Sequence, residues 1–294
     1  MSPFRTFIAR WFGRPRPATR GRRLPPLTLC PLEDRVVPSD ATAGAAGINA
    51  RDLNLTGAGV LIGQVELGRP GWPDFDKAAN SNADVIPTKV YREDKAPVAD
   101  QDISGHAEGV AAIMIYKGAA DKGVAPGASL HSATFVGENF KEPEKGANET
   151  EKDFLARVTA ILLDKSVVTV QAMAQPKGNS PVRAINISTV LGAEALGNPA
   201  LDGTSLLSAA VDYLTVKYDT LFVIAKGNDN KPTSTPADSY NALIVAGLDR
   251  VGFDRVGKFN DLSTLGKNDR RLIDVLAPGD VSMPVLGGGN FGQD

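Results

Sequence analysis

Three residues whose side chains could act together chemically stand beside predicted secondary-structure elements. Glu66 ends the first apolar run of the chain, Asn228 follows a later one, and His106 opens a segment of helical period. Ligands of open parallel sheets bind beyond the carboxyl ends of the strands, so these are the positions at which a site is expected. An imidazole that takes a proton and a carboxylate that orients it are two of the three groups that acyl transfer through a hydroxyl nucleophile requires.

The elements that must position these residues alternate, from about Thr42 onward, between short β-rich apolar runs and segments of helical period. This alternation is typical of parallel strands joined by crossover helices, so the predicted fold class is α/β. Near-continuous Val, Ile and Leu runs further predict a mostly parallel central sheet that is covered by helices on both faces. The predicted strands are 59–66, 129–135, 183–188, 220–225, 242–247 and 272–276.

Apolar spacing predicts three helices. Thr150, with Asp153 three residues on, is the expected cap of the first, and the segment 106–116, which is rich in small residues, suits a helix pressed closely against the sheet. The expected buried stripe of the helix that Thr150 caps is Phe154, Leu155, Val158, Ile161 and Leu162, and that of the remaining helix is Leu206, Leu207, Ala210, Val211 and Leu214.

Short motifs follow one another along the chain in a recognisable order. They are V-E-L-G at 65–68, G-H-A-E-G-V-A-A at 105–112, G-V-A-P-G-A at 123–128, I-N-I-S at 185–188, A-K-G-N at 225–228 and A-P-G-D at 277–280. In this order they resemble the landmarks of the subtilisin-like serine peptidases, the subtilase family, whose triad runs Asp, His, Ser along the chain. The resemblance extends over about 57–294, and G-V-A-P-G-A is its most specific part.

The resemblance implies a serine-type endopeptidase, a hydrolase that cleaves peptide or protein substrates by acyl transfer. It makes His106 the catalytic base and Asn228 the oxyanion donor, and it places Glu66 where the family has Asp. Glu is one methylene longer than Asp, which would displace the carboxylate by roughly 1 to 1.5 Å unless the backbone retreats, and an error of about 1 Å can cost on the order of a hundredfold in rate. The alternative for Glu66 is a solvated acid at a strand end. Ser188 and Gly192 match the segment that lines the pocket for the residue before the scissile bond.

The nucleophilic serine of the family lies in G-T-S-x-x-x-P after the A-P-G motif, and no such sequence stands in this chain. We therefore expect the serine, and the helix that it opens, to lie beyond residue 294, and the chain as given to be inactive. The letters G-T-S do occur at 203–205. They precede Asn228, however, and lack the proline four residues on, so Thr204 or Ser205 is interpreted as a helix N-cap.

Residues 1–41 differ in composition from the predicted peptidase domain at 42–294. Within 1–39 there are eight arginines against Glu33 and Asp34, and prolines break every apolar stretch, so the segment is interpreted as disordered or as a targeting sequence. A nucleic-acid-binding arm is the alternative. The stretch L-E-D-R at 32–35 resembles a segment that precedes the mature domain in many exported proteins, which indicates an extracellular or cell-envelope location.

The remaining expectations concern cofactors and partners. The resemblance implies no required cofactor, no nucleic-acid partner and a monomer, and no run of about eighteen apolar residues predicts a membrane span. A structural calcium ion could be bound by loop aspartates, whose alternative role is simple solvation: Asp74, Asp76, Asp100 and Asp102. Cys30 is the only cysteine, which excludes an intrachain disulfide, and the two histidines are too few for a zinc hydrolase.

Two other function classes are alternatives to a peptidase. A nucleotide-binding Rossmann domain is excluded because the glycines of Gly57-Ala58-Gly59 precede the first strand instead of following it. A non-catalytic peptide-binding or interaction module on the same fold stays open. Glu66, Gly109 and Lys226 depart from the family motifs, as such a module would allow.

Overall fold

The fold was analysed in a computed structural model that describes residues 53–77, 80–118, 122–136, 143–176, 181–189, 202–227, 235–250, 256–259, 270 and 272–278. Strands and helices alternate in this part of the chain, which confirms the predicted α/β class. The strands are β1 (Leu61–Leu67), β2 (Lys89–Arg92), β3 (Ser129–Val136), β4 (Ala184–Ile187), β5 (Leu221–Ala225), β6 (Leu243–Arg250), β7 (Val256–Phe259) and β8 (Val275–Pro278). The helices are α1 (Gly105–Ile115), α2 (Glu151–Ala174) and α3 (Leu206–Tyr218).

The strands form one sheet in the order β2-β3-β1-β4-β5-β6-β7, and β8 pairs with β6. Every pairing is parallel except that of β6 with β7, which is antiparallel. The sheet is therefore mostly parallel, as predicted. Strand β1, which carries Glu66, lies between β3 and β4 in the interior of the sheet.

Helices cover both faces of the sheet, and the side-chain alternation of β1 shows which helix lies on which face. Leu61 and Val65 belong to the main apolar core, and a Cβ added at Gly63, between them, would lie 3.0 Å from Met173 of α2. Gln64 and Glu66 point to the opposite face, where they contact the first turn of α1. The two polar residues of β1 are thus directed at the helix that begins with the predicted catalytic histidine.

All six predicted strands are present, and one is displaced. The segment 272–276 was expected to be a strand throughout, but β8 begins only at Val275, and Leu272 is buried outside the strand. Strands β2 and β7 were not predicted. Each has only four residues, too few for an apolar run or an alternation to stand out.

All three helices were predicted, but their buried faces differ from the expected stripes. The Thr150 side chain accepts the Asp153 N–H as the expected cap of α2. The buried face of α2 extends further toward Ala174 than predicted, and Leu155 near its start is 48% exposed. Leu206 at the start of α3 is 60% exposed. No helix in the described part of the chain is long and apolar enough to cross a membrane.

Candidate active site

Glu66 and His106 lie beside each other where β1 approaches the first turn of α1. Oε2 of Glu66 is 3.5 Å from Nδ1 of His106, which is longer than a normal hydrogen bond, and this oxygen has no other hydrogen-bond partner in the described part of the chain. The glutamate side chain is fully buried, whereas the imidazole is 55% exposed. The structure therefore brings together two residues that are 40 positions apart in the sequence, with a buried carboxylate behind an accessible imidazole.

The other carboxylate oxygen of Glu66 is held by the end of strand β4. The Ser188 N–H donates to Oε1 at 2.9 Å, and the Asn186 side-chain amide lies 3.5 Å from the same atom. That amide also donates to the Ser188 hydroxyl at 2.8 Å. A backbone donor fixes the direction of the carboxylate, so Glu66 is not the solvated strand-end acid of the alternative interpretation.

This arrangement changes the proton affinity of the imidazole. The Glu66 carboxylate, first as a hydrogen-bond acceptor and also as a negative charge, raises the pKa of His106 above its ordinary value, and partial desolvation acts in the opposite direction. Because Nδ1 faces Glu66, Nε2 is the nitrogen left to exchange a proton with a substrate. The pair has the geometry of a general base with its orienting acid.

Two predicted site residues, Asn228 and Gly192, lie outside the described residues. Ser188 is placed at the site through its bond to Glu66. Gly227, just before Asn228, has a φ of 101°, a conformation that favours glycine. The side chain of Lys226, which stands where the family has a small residue, is buried instead of pointing into solvent.

The serine of the G-T-S sequence caps a helix, as predicted. The Ser205 hydroxyl accepts the Ser208 N–H at 3.1 Å and lies 2.8 Å from the Ser208 hydroxyl. Ser208 in turn donates to the buried carboxylate of Asp238, and its hydroxyl is 2.8 Å from that of Thr235. Ser205 thus belongs to a polar cluster that ties the start of α3 to the segment before β6.

The aspartates considered as calcium ligands are engaged with cations of the protein. Asp76 pairs with Arg69, Asp100 with Lys77 and Asp102 with Arg92, at distances of 2.6, 3.1 and 3.3 Å. The fourth, Asp74, is exposed. Among the residues that the structure describes, no group of three or more His, Cys, Asp or Glu side chains is arranged to hold a metal ion.

Sequence reasoning missed several buried polar residues around the pair, of which Glu108 is the most unusual. It lies two residues after His106, is 4% exposed, and accepts the Gly71 N–H at 2.8 Å. Desolvation raises the pKa of Glu108 to about 7, against the opposing effects of the Gly71 N–H and of Arg69. The one sequence signal was an acid on a helix otherwise composed of small and apolar residues.

We expect Glu108→Gln to stabilise the protein at pH 8 and to change its stability little near pH 4.5. A carboxyl whose pKa rises on folding from 4.5 to about 7 binds more protons in the folded state, so the stability of the wild type falls as pH rises between those values. The loss is about 3 kcal/mol at 1.36 kcal/mol per pKa unit, and glutamine avoids it. Urea unfolding at both pH values measures the difference.

The matched control for this prediction is Glu151→Gln, because Glu151 has an exposed side chain in an ion pair with Lys145. Its substitution should change the free energy of unfolding by less than about 1 kcal/mol at either pH. A Glu108→Gln variant whose stability relative to the wild type is the same at pH 4.5 and pH 8 would contradict the raised pKa of Glu108.

Comparisons with known proteins agree with this fold. The family model of the subtilase family (peptidase S8) matches residues 41–292. The fold is similar to that of the MycP3 protease from the type VII (ESX-3) secretion system, with 21% identity and a TM-score of 0.53 over 85% of this chain and 66% of that one. It is also similar to MycP1 from Mycobacterium smegmatis, with 19% identity and a TM-score of 0.51 over 79% of this chain.

The chain spans only 66% and 60% of the lengths of these two proteases. No curated protein sequence matches it. The family match covers most of the sequence, including the segments that carry Glu66 and His106. The chain therefore belongs to the subtilase family.

Proposed function

We propose that this chain supplies the acid–base half of a serine endopeptidase site. In this proposal His106 is the general base, Glu66 orients it, Asn228 binds the oxyanion, and the nucleophilic serine lies outside residues 1–294. The observation that carries the proposal is the contact of 3.5 Å between a fully buried carboxylate and an exposed imidazole. Membership of the subtilase family supports a serine peptidase with protein substrates.

The proposed reaction is acyl transfer through the serine hydroxyl. His106 Nε2 takes the hydroxyl proton as the oxygen attacks the scissile carbonyl, and it returns this proton to the leaving amine. Glu66 stabilises the imidazolium in between. Its Oε1 is fixed by the Ser188 N–H while Oε2 reaches toward His106, so a Glu in place of the usual Asp can still present a charge to Nδ1.

Substrate binding is proposed to involve residues that follow the neighbouring strands. Ser188 follows β4 directly, and together with Gly192 it would line the pocket for the residue before the scissile bond. The Asn228 side-chain amide would donate to the tetrahedral oxyanion, an interaction worth roughly 2.7 to 4 kcal/mol in a subtilisin.

Location and partners are proposed on sequence grounds. We place the protein in the cell envelope or outside the cell, because L-E-D-R at 32–35 follows a basic segment that is poor in acids. Residues 1–41 would be a targeting or disordered segment ahead of a peptidase domain. The domain would act as a monomer on peptide or protein substrates without a required cofactor.

A second candidate is a peptide-binding module that has lost its chemistry. The observation in its favour is Lys226, whose side chain is buried where the family has a small residue next to the proposed oxyanion donor. The separation of 3.5 Å between Glu66 and His106 also exceeds that of a good hydrogen bond, although catalytic bonds are often long in the absence of substrate.

The deciding experiment uses the full gene product, extended to include the downstream serine segment. We expect it to hydrolyse casein, to lose that activity with a serine-directed fluorophosphonate, and to be labelled by the same probe. Residues 1–294 alone are the matched control and should be inactive, because loss of the serine costs about 10⁶ in turnover. Failure of the extended protein to be labelled would favour the binding module, and hydrolysis by residues 1–294 would overturn the proposed place of the serine.

A further inference from the structure

Gln64 is a fully buried amide on the same face of β1 as Glu66. The two residues are separated by two positions, and side chains of a strand repeat with period 2, so both point at α1. Nε2 of Gln64 donates to the backbone carbonyl of Ala107 at 2.9 Å. Ala107 is the chain neighbour of His106.

Two parallel links therefore join β1 to adjacent residues of one helical turn. Gln64 bonds the backbone of Ala107, and Glu66 contacts the side chain of His106. The first link involves the main chain and so restrains where the turn lies, whereas the second depends on where the turn lies. The distance between Glu66 and His106 therefore depends on the bond that Gln64, two residues earlier on the same strand, makes to Ala107.

The start of α1 depends on such a restraint, because its own cap is weak. Ser104, the N-cap residue, makes no side-chain cap hydrogen bond to the described first turn. The Ser104 N–H donates to the Arg69 carbonyl at 2.9 Å, which fixes the chain just before the helix. Beyond that point Gln64 is the residue of β1 that holds the main chain of the turn.

The energetic cost of burying Gln64 also indicates that this residue positions the first turn of α1 more than it stabilises the fold. Within the described structure no donor reaches its buried Oε1. A buried carbonyl without a partner costs free energy that an apolar side chain of the same size would not. A sequence selected for stability alone would favour Met or Leu at this position, so the residue is explained by its bond to Ala107.

We propose that Gln64 is a positioning residue that fixes the first turn of α1 so that His106 Nδ1 stays within reach of Glu66. The proposal rests on the proposed roles of Glu66 and His106. It concerns how their contact is maintained, and Gln64 itself does not touch the reacting atoms.

The test is an NMR titration of the chain, which has only two histidines, His106 and His131. Gln64→Met removes the donor at nearly constant length. We expect the pKa of His106 to fall toward its ordinary value, because the neighbouring carboxylate is what raises it. The signal of His131, in β3, is the internal reference and should be the same in the variant and the wild type.

A double-variant cycle with Glu66→Gln separates the possible causes. Glu66→Gln alone should lower the pKa of His106, and adding Gln64→Met in that background should shift it no further. An equal shift in both backgrounds would mean that Gln64 acts on the burial of His106, which would overturn the proposal. If Glu66→Gln shifts the pKa and Gln64→Met does not, only the positioning role fails. If Glu66→Gln has no effect, the proposed catalytic pair itself fails.

Two further variants make the result independent of a general folding effect. Thr169→Val is the matched control, since it also removes one buried side-chain bond to a backbone carbonyl, that of Lys165 within α2, and it should leave the pKa of His106 unchanged. Gln64→Leu repeats the test with a second apolar residue if the Met variant does not fold. In the serine-containing protein, Gln64→Met should lower kcat about tenfold with little change in KM, and an unchanged kcat would contradict the proposal.

Discussion

Replacing His106 with alanine is expected to lower kcat of the serine-containing protein by about 10⁶, the loss found when the histidine of a subtilisin is removed. Without the imidazole no group takes the proton of the attacking hydroxyl, and Glu66 is left buried behind the site. The stability of the fold should change little, because the His106 side chain is largely exposed. Steady-state hydrolysis of a chromogenic peptide measures kcat, and thermal unfolding confirms that the variant is folded.

The control for this variant removes the other imidazole of the chain. His131 is buried in β3, where the centre of its ring is 5.8 Å from that of Tyr91, so His131→Gln should leave kcat of the folded protein within about twofold. Glu66→Gln should lower kcat by about 10⁴, as loss of the triad carboxylate does in related enzymes. A His106→Ala variant with the kcat of the wild type would refute the role of His106 as base.

The sheet was largely predictable from the sequence because its central strands are buried on both faces. Such strands are rich in Val, Ile and Leu, and the strand that contains Val65 and the strand that contains Ile187 were both predicted. Strand β2 was not predicted. It is a four-residue strand at the edge of the sheet, in which only Val90 is buried, and so small an apolar signal is common in loops.

The helices show that apolar spacing does not predict which part of a helix is buried. A stripe of apolar residues reveals the face of a helix that packs, but not how far along the helix its partner extends. Leu155 and Leu206 satisfy the period but are 48% and 60% exposed, whereas Leu207, beside Leu206, belongs to the main apolar core. The residues of α2 that pack into the main apolar core, Val170 and Met173, lie near its other end.

The proximity of Glu66 and His106, the proposed catalytic pair, could be predicted because the order of the motifs selects both residues without any knowledge of their distance. The residues that hold the pair carry no such motif. The burial of Gln64 and Glu108 depends on the packing of α1 against β1 and the following loop, which joins positions about 40 residues apart. The role of Asn228 is still a prediction.

The loop after β1 contains a buried ion pair that was not predicted from sequence. Arg69 and Asp76 meet through two parallel bonds of 2.6 and 2.7 Å, with side chains 1% and 0% exposed. The carboxylate also accepts the backbone N–H groups of Trp72 and Asp100. Desolvation acts to raise the pKa of Asp76, but Arg69 and these backbone donors outweigh it and hold the pKa below its ordinary value.

We expect Asp76→Ala to destabilise the protein by about 3 to 5 kcal/mol, because it leaves the buried guanidinium of Arg69 without its counter-charge. Urea unfolding at pH 7 measures the loss. Glu151→Ala is the control for removal of an ion pair as such, since its exposed bond to Lys145 should be worth no more than about 1 kcal/mol.

The double variant Arg69→Met/Asp76→Leu tests the reason for this loss. It removes both charges and fills the space with apolar groups, so it should be distinctly more stable than Asp76→Ala. If the two variants are equally unstable, the loop depends on the bonds from Asp76 to Trp72 and Asp100 more than on the compensation of charge.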